Sequence, residues 1–120
     1  MKTIRSRLFD WTTLNCLLNH IEFGLTPKKA VRAPRFYTGH HEGSFKSNPD
    51  RMKTFGEVKS LVTNKSVDKA TRKALAKFGH EVSTKKGAIA NPVMIYLDPN
   101  SNEAFAAGDP KAKRHASAVR

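Results

Sequence analysis

From Asn91 to Gly108 the hydrophobic positions recur in twos. Val93, Ile95 and Leu97 fall on one face and Met94, Tyr96 and Asp98 on the other, which predicts a strand over 92–98. Asp98-Pro99-Asn100-Ser101-Asn102 then makes a turn, because proline presets φ and Asn and Asp tolerate the left-handed region and bond their own backbone. A second strand returns over 103–108. Its residues are small apart from Phe105, which predicts the close approach of another backbone at Ala106-Ala107-Gly108. The first strand is largely apolar on both faces, so cover is expected on each: a helix layer, a second sheet or another chain.

Upstream the period lengthens. Trp11, Leu14, Cys16, Leu17, Leu18, Ile21 and Phe23 recur mostly at three and four residues, with Asp10, Asn15, Asn19 and Glu22 largely opposite; this predicts a helix over 8–23 closed by Gly24. Thr26-Pro27 reads as an N-cap followed by proline at the first helical position, starting a short helix over 27–32 that packs in one layer with the first. Pro34 stops it and forces Ala33 towards an extended conformation, and a strand follows over 35–38. The stretch 38–65 is broken by Gly39, Gly43, Pro49 and Gly56. Gly43-Ser44-Phe45-Lys46 suits an edge strand, and 52–62 admits either a helical turn or a strand. Ser66 or Asp68 caps a helix over 68–78, with Val67, Ala70, Ala74, Leu75 and Phe78 on one side. A strand over 80–84 follows. Helices and strands in this order make an α+β chain.

At 120 residues there is room for one core. Hydrophobic residues at 38% with seven Phe argue for a globular piece, while 27% charged residues keep the core modest. Cys16, the single cysteine, cannot form an internal disulfide and reads as a small buried hydrophobe. No apolar run reaches the length of a membrane span, and MKTIRSRLFDW carries charges without the apolar core of a secretory signal. Arg5, Arg7, Leu8, Phe9 and Trp11 would suit an organellar presequence; Asp10 argues against one.

Twenty-two Lys and Arg against ten Asp and Glu give a net charge of +12, which raises nucleic acid or an acidic partner as a possibility. The cations are spread over helices, turns and tail, and no nucleic-acid motif or aromatic stacking pair accompanies them. A solvated basic surface, or a face meeting an acidic subunit, accounts for them better.

Two segments resemble a known family. NPVMIYLDPNSNEAFAAGDPKAKRH is similar to the C-terminal hairpin of the γ-glutamyltransferases (γ-glutamyltranspeptidases and related acylases), with an apolar strand, Asp-Pro, a polar turn and an A-A/S-x-D-P ending. LLNHIEFGLTPKKAVRAPRF resembles that family's helix, F/Y-G turn, short helix and A-P-R-F segment. Gly79-His80-Glu81-Val82 resembles its G-H-x-V step into the sheet. Two motifs in the right order are more specific than either alone. The similarity covers roughly 14–115, and the chain departs from the family over 38–65. The resemblance implies a partial αββα sandwich of the N-terminal-nucleophile hydrolase type: an unmatched segment over 1–7, a C-terminal domain portion over 8–110, and a basic tail over 111–120.

It also implies chemistry that these residues do not carry by themselves. In the family a freed threonine attacks the γ-glutamyl carbonyl, its own amine serves as base, and the acyl group passes to water or an amine. That threonine belongs before the matched segment. Thr12 and Thr13 lie inside the predicted first helix, and Ile4-Arg5-Ser6-Arg7 stands where the family has paired oxyanion-stabilising glycines. The expectation is a C-terminal fragment of the catalytic subunit, inactive alone and partnered by the upstream part of the enzyme or a large-subunit-like chain.

No catalytic, cofactor-binding or metal site is assigned on the chain. His40 and His41, adjacent on an extended segment, point to opposite faces and have no Cys or acidic residue at metal spacing. His20 and His115 read as surface residues, and His80 as partly buried at a strand start. Cys16 lacks a neighbour that would activate it. Asp98 and Asp109 each precede a proline and read as turn formers. The rival class is a basic binding protein without catalysis; the ordered pair of motifs favours the enzyme fragment.

Overall fold

The computed structural model describes residues 5–40, 50, 52 and 58–117, and of 5–10 the backbone alone. Helix α1 spans Arg5–Ile21, starting and ending earlier than the pattern predicts, and α2 spans Pro27–Arg32 as expected. Between them Gly24 takes φ +63°, a left-handed turn that a Cβ would strain. Thr26 caps α2 by accepting the Lys29 N–H at 3.4 Å, and Ala33, held before proline, is extended at ψ 150°. Asn19 ties the helices into one layer by donating to the Ala30 carbonyl at 3.3 Å.

Two sheets follow. Strands β1 (Phe36–Thr38), β2 (Ser60–Asn64) and β3 (Glu81–Lys85) form one in the order β1-β2-β3, with β1 antiparallel to β2 and β2 parallel to β3. The parallel pair needs a crossover, and α3 (Lys69–Lys77) provides it. The central strand β2 begins inside the stretch 52–62 left open between helical turn and strand, so residues 60–62 are strand; the edge strand expected over 43–46 lies outside the described residues. Strands β4 (Val93–Leu97) and β5 (Ala104–Gly108) pair antiparallel in a separate two-stranded sheet. Their turn is built as the sequence suggests: Asp98 Oδ1 accepts the Asn100 N–H at 2.8 Å, and Asn102 takes φ +56°.

The small residues of β5 have their reason. A Cβ on Gly108 would lie 2.6 Å from the Arg114 carbonyl carbon and oxygen, because the chain after β5 folds back across it. The core is small: among the described residues Cys16, Ala30, Val31, Leu61, Ile89 and Ala107 are its buried hydrophobic members, and Met94 packs against the cluster of Cys16, Val31 and Ala107.

Three expectations about packing need correction. The β4–β5 hairpin is covered on one face only: Met94 and Tyr96 turn towards the helices, while Val93, Ile95 (69% exposed) and Leu97 face outward. On α1 the polar residues Thr12 and Asn15 point inward with Cys16, whereas Leu14, Leu17, Leu18 and Ile21 are exposed. Asn15 explains the inversion, since it donates to the Phe36 carbonyl at 3.2 Å and accepts the Phe36 N–H at 3.4 Å, docking the helix on β1. On α3 no residue is buried, and Phe78 at its end is 82% exposed. No described helix is long and apolar enough to cross a membrane.

Candidate functional site: a basic cleft over a buried ion pair

Among the described residues a buried polar constellation is built on Arg35. Pro34 ends α2 and the chain turns so that Arg35 goes into the interior, 2% exposed. Its backbone N–H donates to Asn64 Oδ1 at 2.7 Å, and its carbonyl accepts the Asn64 N–H at 2.9 Å, registering β1 on β2. Each of its three guanidinium nitrogens donates one hydrogen bond within the interior. Nε donates to the Ile89 carbonyl at 2.8 Å, Nη1 to the Val31 carbonyl, and Nη2 to Asp109 Oδ2 at 2.5 Å. Asn64 Nδ2 donates to the Gly87 carbonyl at 2.8 Å, holding the loop that brings Ile89 into place.

Asp109 is therefore more than a turn former. Its Oδ1 accepts the Lys111 N–H at 3.0 Å, as an Asp-Pro turn requires, but the residue is itself 2% exposed and its other oxygen neutralises Arg35. Its backbone N–H donates to the Pro92 carbonyl at 3.2 Å, and its carbonyl accepts from Ala112 and Arg114. The A-P-R-F and D-P segments, 74 residues apart at their Arg and Asp, are thus joined by one buried, hydrogen-bonded charge pair. The sequence reading missed this; the available signal was a charged residue set inside each of the two motifs.

Above the pair lies a cleft of ≈ 180 Å³ walled by Arg32, Lys65, Lys85 and Lys111, with Ser66, Asn64 and Gly87 between them. Cations that are scattered in the sequence converge here. The expectation of a dispersed basic surface is corrected at this one place.

The other candidates stay apart from the cleft floor. Cys16 is buried, and burial pushes its thiol pKa up; the Arg35 guanidinium opposes that shift and the Asp109 carboxylate adds to it. The thiol stays protonated at neutral pH and is a poor nucleophile. Thr12 Oγ1 is buried without a hydrogen-bond partner, in mid-helix, and Thr13 is exposed. His20 is partly buried rather than a surface residue: its Nδ1 is 2.7 Å from the Leu25 carbonyl, which can only accept, so Nδ1 carries the proton, and its ring meets Tyr96 edge-on at 4.6 Å. His40 is exposed, with Nε2 3.3 Å from Thr38 Oγ1, and packs edge-on against Trp11. His80 is exposed, contrary to expectation, because it lies in the turn between α3 and β3 and not in the strand; His115 is exposed and His41 lies outside the described residues. Asp98 is a turn former and no more. Among the described residues no three His, Cys, Asp or Glu side chains cluster closely enough to hold a metal ion.

The family model of gamma-glutamyltranspeptidase matches residues 9–119. This chain belongs to that family. No curated protein sequence matches it. Among solved structures, a highly active mutant of gamma-glutamyltranspeptidase from Pseudomonas nitroreducens is 17% identical with a TM-score of 0.60, over 91% of this chain and 48% of that one. Gamma-glutamyltranspeptidase from Helicobacter pylori is 21% identical with a TM-score of 0.57, over 85% and 47%. Cephalosporin acylase from Bacillus halodurans is 20% identical with a TM-score of 0.63, over 83% and 16%. At such identities the likeness establishes the fold alone, a mixed α and β arrangement shared with these enzymes. The chain spans about half the length of the gamma-glutamyltranspeptidases it matches. Both motifs that carry the resemblance fall inside the family match, and the buried pair is what holds them together.

Proposed function

We propose that this chain is the C-terminal portion of the catalytic subunit of a γ-glutamyltransferase-like enzyme, acting on γ-glutamyl compounds such as glutathione. The observation that carries this reading is the family match over 9–119 by a chain spanning about half of the matched enzymes. The attacking threonine comes from sequence outside these 120 residues. Thr12 and Thr13 support this, since both sit within α1, where the backbone nitrogen is part of a peptide bond and cannot serve as the free amine base.

In this reading the chain is scaffold. It contributes strands and a helix layer to an αββα sandwich, and the rest of the enzyme covers the outward face of the β4–β5 hairpin and the leucine face of α1. Exposed apolar surface of that kind is characteristic of an interaction face. The chain alone binds an apolar dye and releases no chromophore from a γ-glutamyl anilide.

Purified chain is assayed for anilide cleavage with and without a supplied upstream segment bearing the family's threonine. Turnover only in the mixture, with loss of dye binding, is the expected result. Turnover by the chain alone, abolished by substituting Thr12, Thr13 or Cys16, would overturn the proposal.

A further inference from the structure

We infer that the cleft over the Arg35–Asp109 pair binds a small phosphate-type polyanion of about the size of pyrophosphate. Four cations from segments far apart in sequence line it: Arg32 at the end of α2, Lys65 after β2, Lys85 at the end of β3 and Lys111 in the turn after β5. All four are exposed, and none forms an ion pair with a described residue. The one acid among the cleft's lining residues, Asp109, is already committed to Arg35 and to the Lys111 backbone N–H, and each guanidinium nitrogen of Arg35 already donates to a buried acceptor. The buried pair is neutral as a unit. The charge facing the cleft is therefore that of the four rim cations, which repel one another until an anion sits between them.

The ligand class follows from charge, shape and lining. A multiply charged anion matches several convergent cations, and ammonium groups with one planar guanidinium suit phosphate oxygens. The Ser66 hydroxyl in the wall adds a donor. The ≈ 180 Å³ cleft is open to solvent on one side and has room for several waters, and so for a diphosphate. Among the described residues no aromatic side chain lines it to stack a base, which favours a free phosphate compound over nucleic acid. This inference does not rest on the enzymatic reading.

Isothermal titration of the full chain with pyrophosphate at low salt gives one-to-one binding that weakens as salt is raised. Lys65→Glu with Lys85→Glu weakens it at least about tenfold, the scale set by losing two unit-charge contacts in water. Lys73→Glu with Lys77→Glu, on exposed positions of α3 outside the cleft, makes the same change in net charge and leaves binding within about twofold. Far-UV circular dichroism checks that both variants are folded; if the first pair is not, Lys65→Gln with Lys111→Gln takes its place. Absence of pyrophosphate binding to the wild-type chain overturns the inference. So does equal weakening by both pairs, or tight oligonucleotide binding with which pyrophosphate does not compete.

Discussion

The region around Arg35 and the outer faces of α1 and the β4–β5 hairpin treat polarity in opposite ways. Around Arg35 charged and amide groups are buried, and each is answered: Arg35 by Asp109 and two carbonyls, Asn64 by Arg35 and Gly87, Asn15 by both backbone groups of Phe36. On the outer faces Leu17, Ile21, Val93, Ile95 and Leu97 are exposed. Buried polar groups and exposed apolar patches are the informative departures from ordinary burial. Their coexistence says that satisfied hydrogen bonds fix the geometry of this chain, while much of its apolar surface is left exposed.

The largest break in that comparison comes from splitting the ion pair. Asp109→Ala leaves a guanidinium buried without its counter-charge, and removing one partner of such a pair costs about 3–5 kcal/mol. With so small a core, the cooperative unfolding transition in urea should be lost or shifted to much lower denaturant. Unchanged stability would mean that the pair does not organise the fold. Arg35→Met with Asp109→Leu should be milder than either single change, because no unpaired charge remains.

Two isoleucines sharpen the contrast between inside and outside. Ile89→Ala removes a side chain that is 1% exposed and sits where its carbonyl receives Arg35 Nε; truncation of this kind costs about 2–5 kcal/mol. Ile95→Ala, on the open hairpin face, should stay within about 0.5 kcal/mol of the parent and reduce apolar-dye binding. Equal costs at the two positions would show that the hairpin face is covered in solution.

Asn15→Ala tests whether hydrogen bonds dock α1 the wrong way round for a soluble helix. It strips both contacts to Phe36, and leaving backbone groups unsatisfied in a partly buried place costs about 1–3 kcal/mol. Amide exchange at Phe36 is the direct readout. A loss confined to α1 helicity, with β1 protection intact, would assign Asn15 a local role only.

How much of this could be read beforehand depended on whether the cause was local. The Thr26-Pro27 cap, the Asp68 cap, the Asp98 turn and the strands of the hairpin follow from neighbouring residues, and each lies where the pattern predicts. The α+β class and the family resemblance were legible for the same reason. The inward turn of Asn15 was not, because periodicity ranks a helix face by its own residues and cannot see Phe36 presenting its backbone 21 positions later. The same holds for the site. Asp109 looked like a turn residue because its Oδ1 is one; its second oxygen serves a partner 74 positions away. Lys65, Lys85 and Lys111 read as dispersed charges until the β2–β3 pairing and the backward fold after Gly108 brought them to one rim.

The smallest effect lies between the two regions, at Cys16, which is buried against the core below Arg35. Burial raises its thiol pKa, with the Asp109 carboxylate acting in the same direction and Arg35 against it. In the folded chain the proton is held more tightly than in the unfolded one. The stability this confers is fully present below the unfolded thiol's pKa and declines as pH rises through the folded one. Stability measured from about pH 8 to 10, across the ordinary thiol range, should therefore fall more steeply for the parent than for Cys16→Ala, whose remaining titrations are shared. Parallel slopes would mean that solvent reaches the thiol and that the packing of α1 on Val31 and Ala107 is looser than the structure has it. A slope steeper in the variant would reverse the sign and place the Arg35 charge, rather than burial, in control of Cys16.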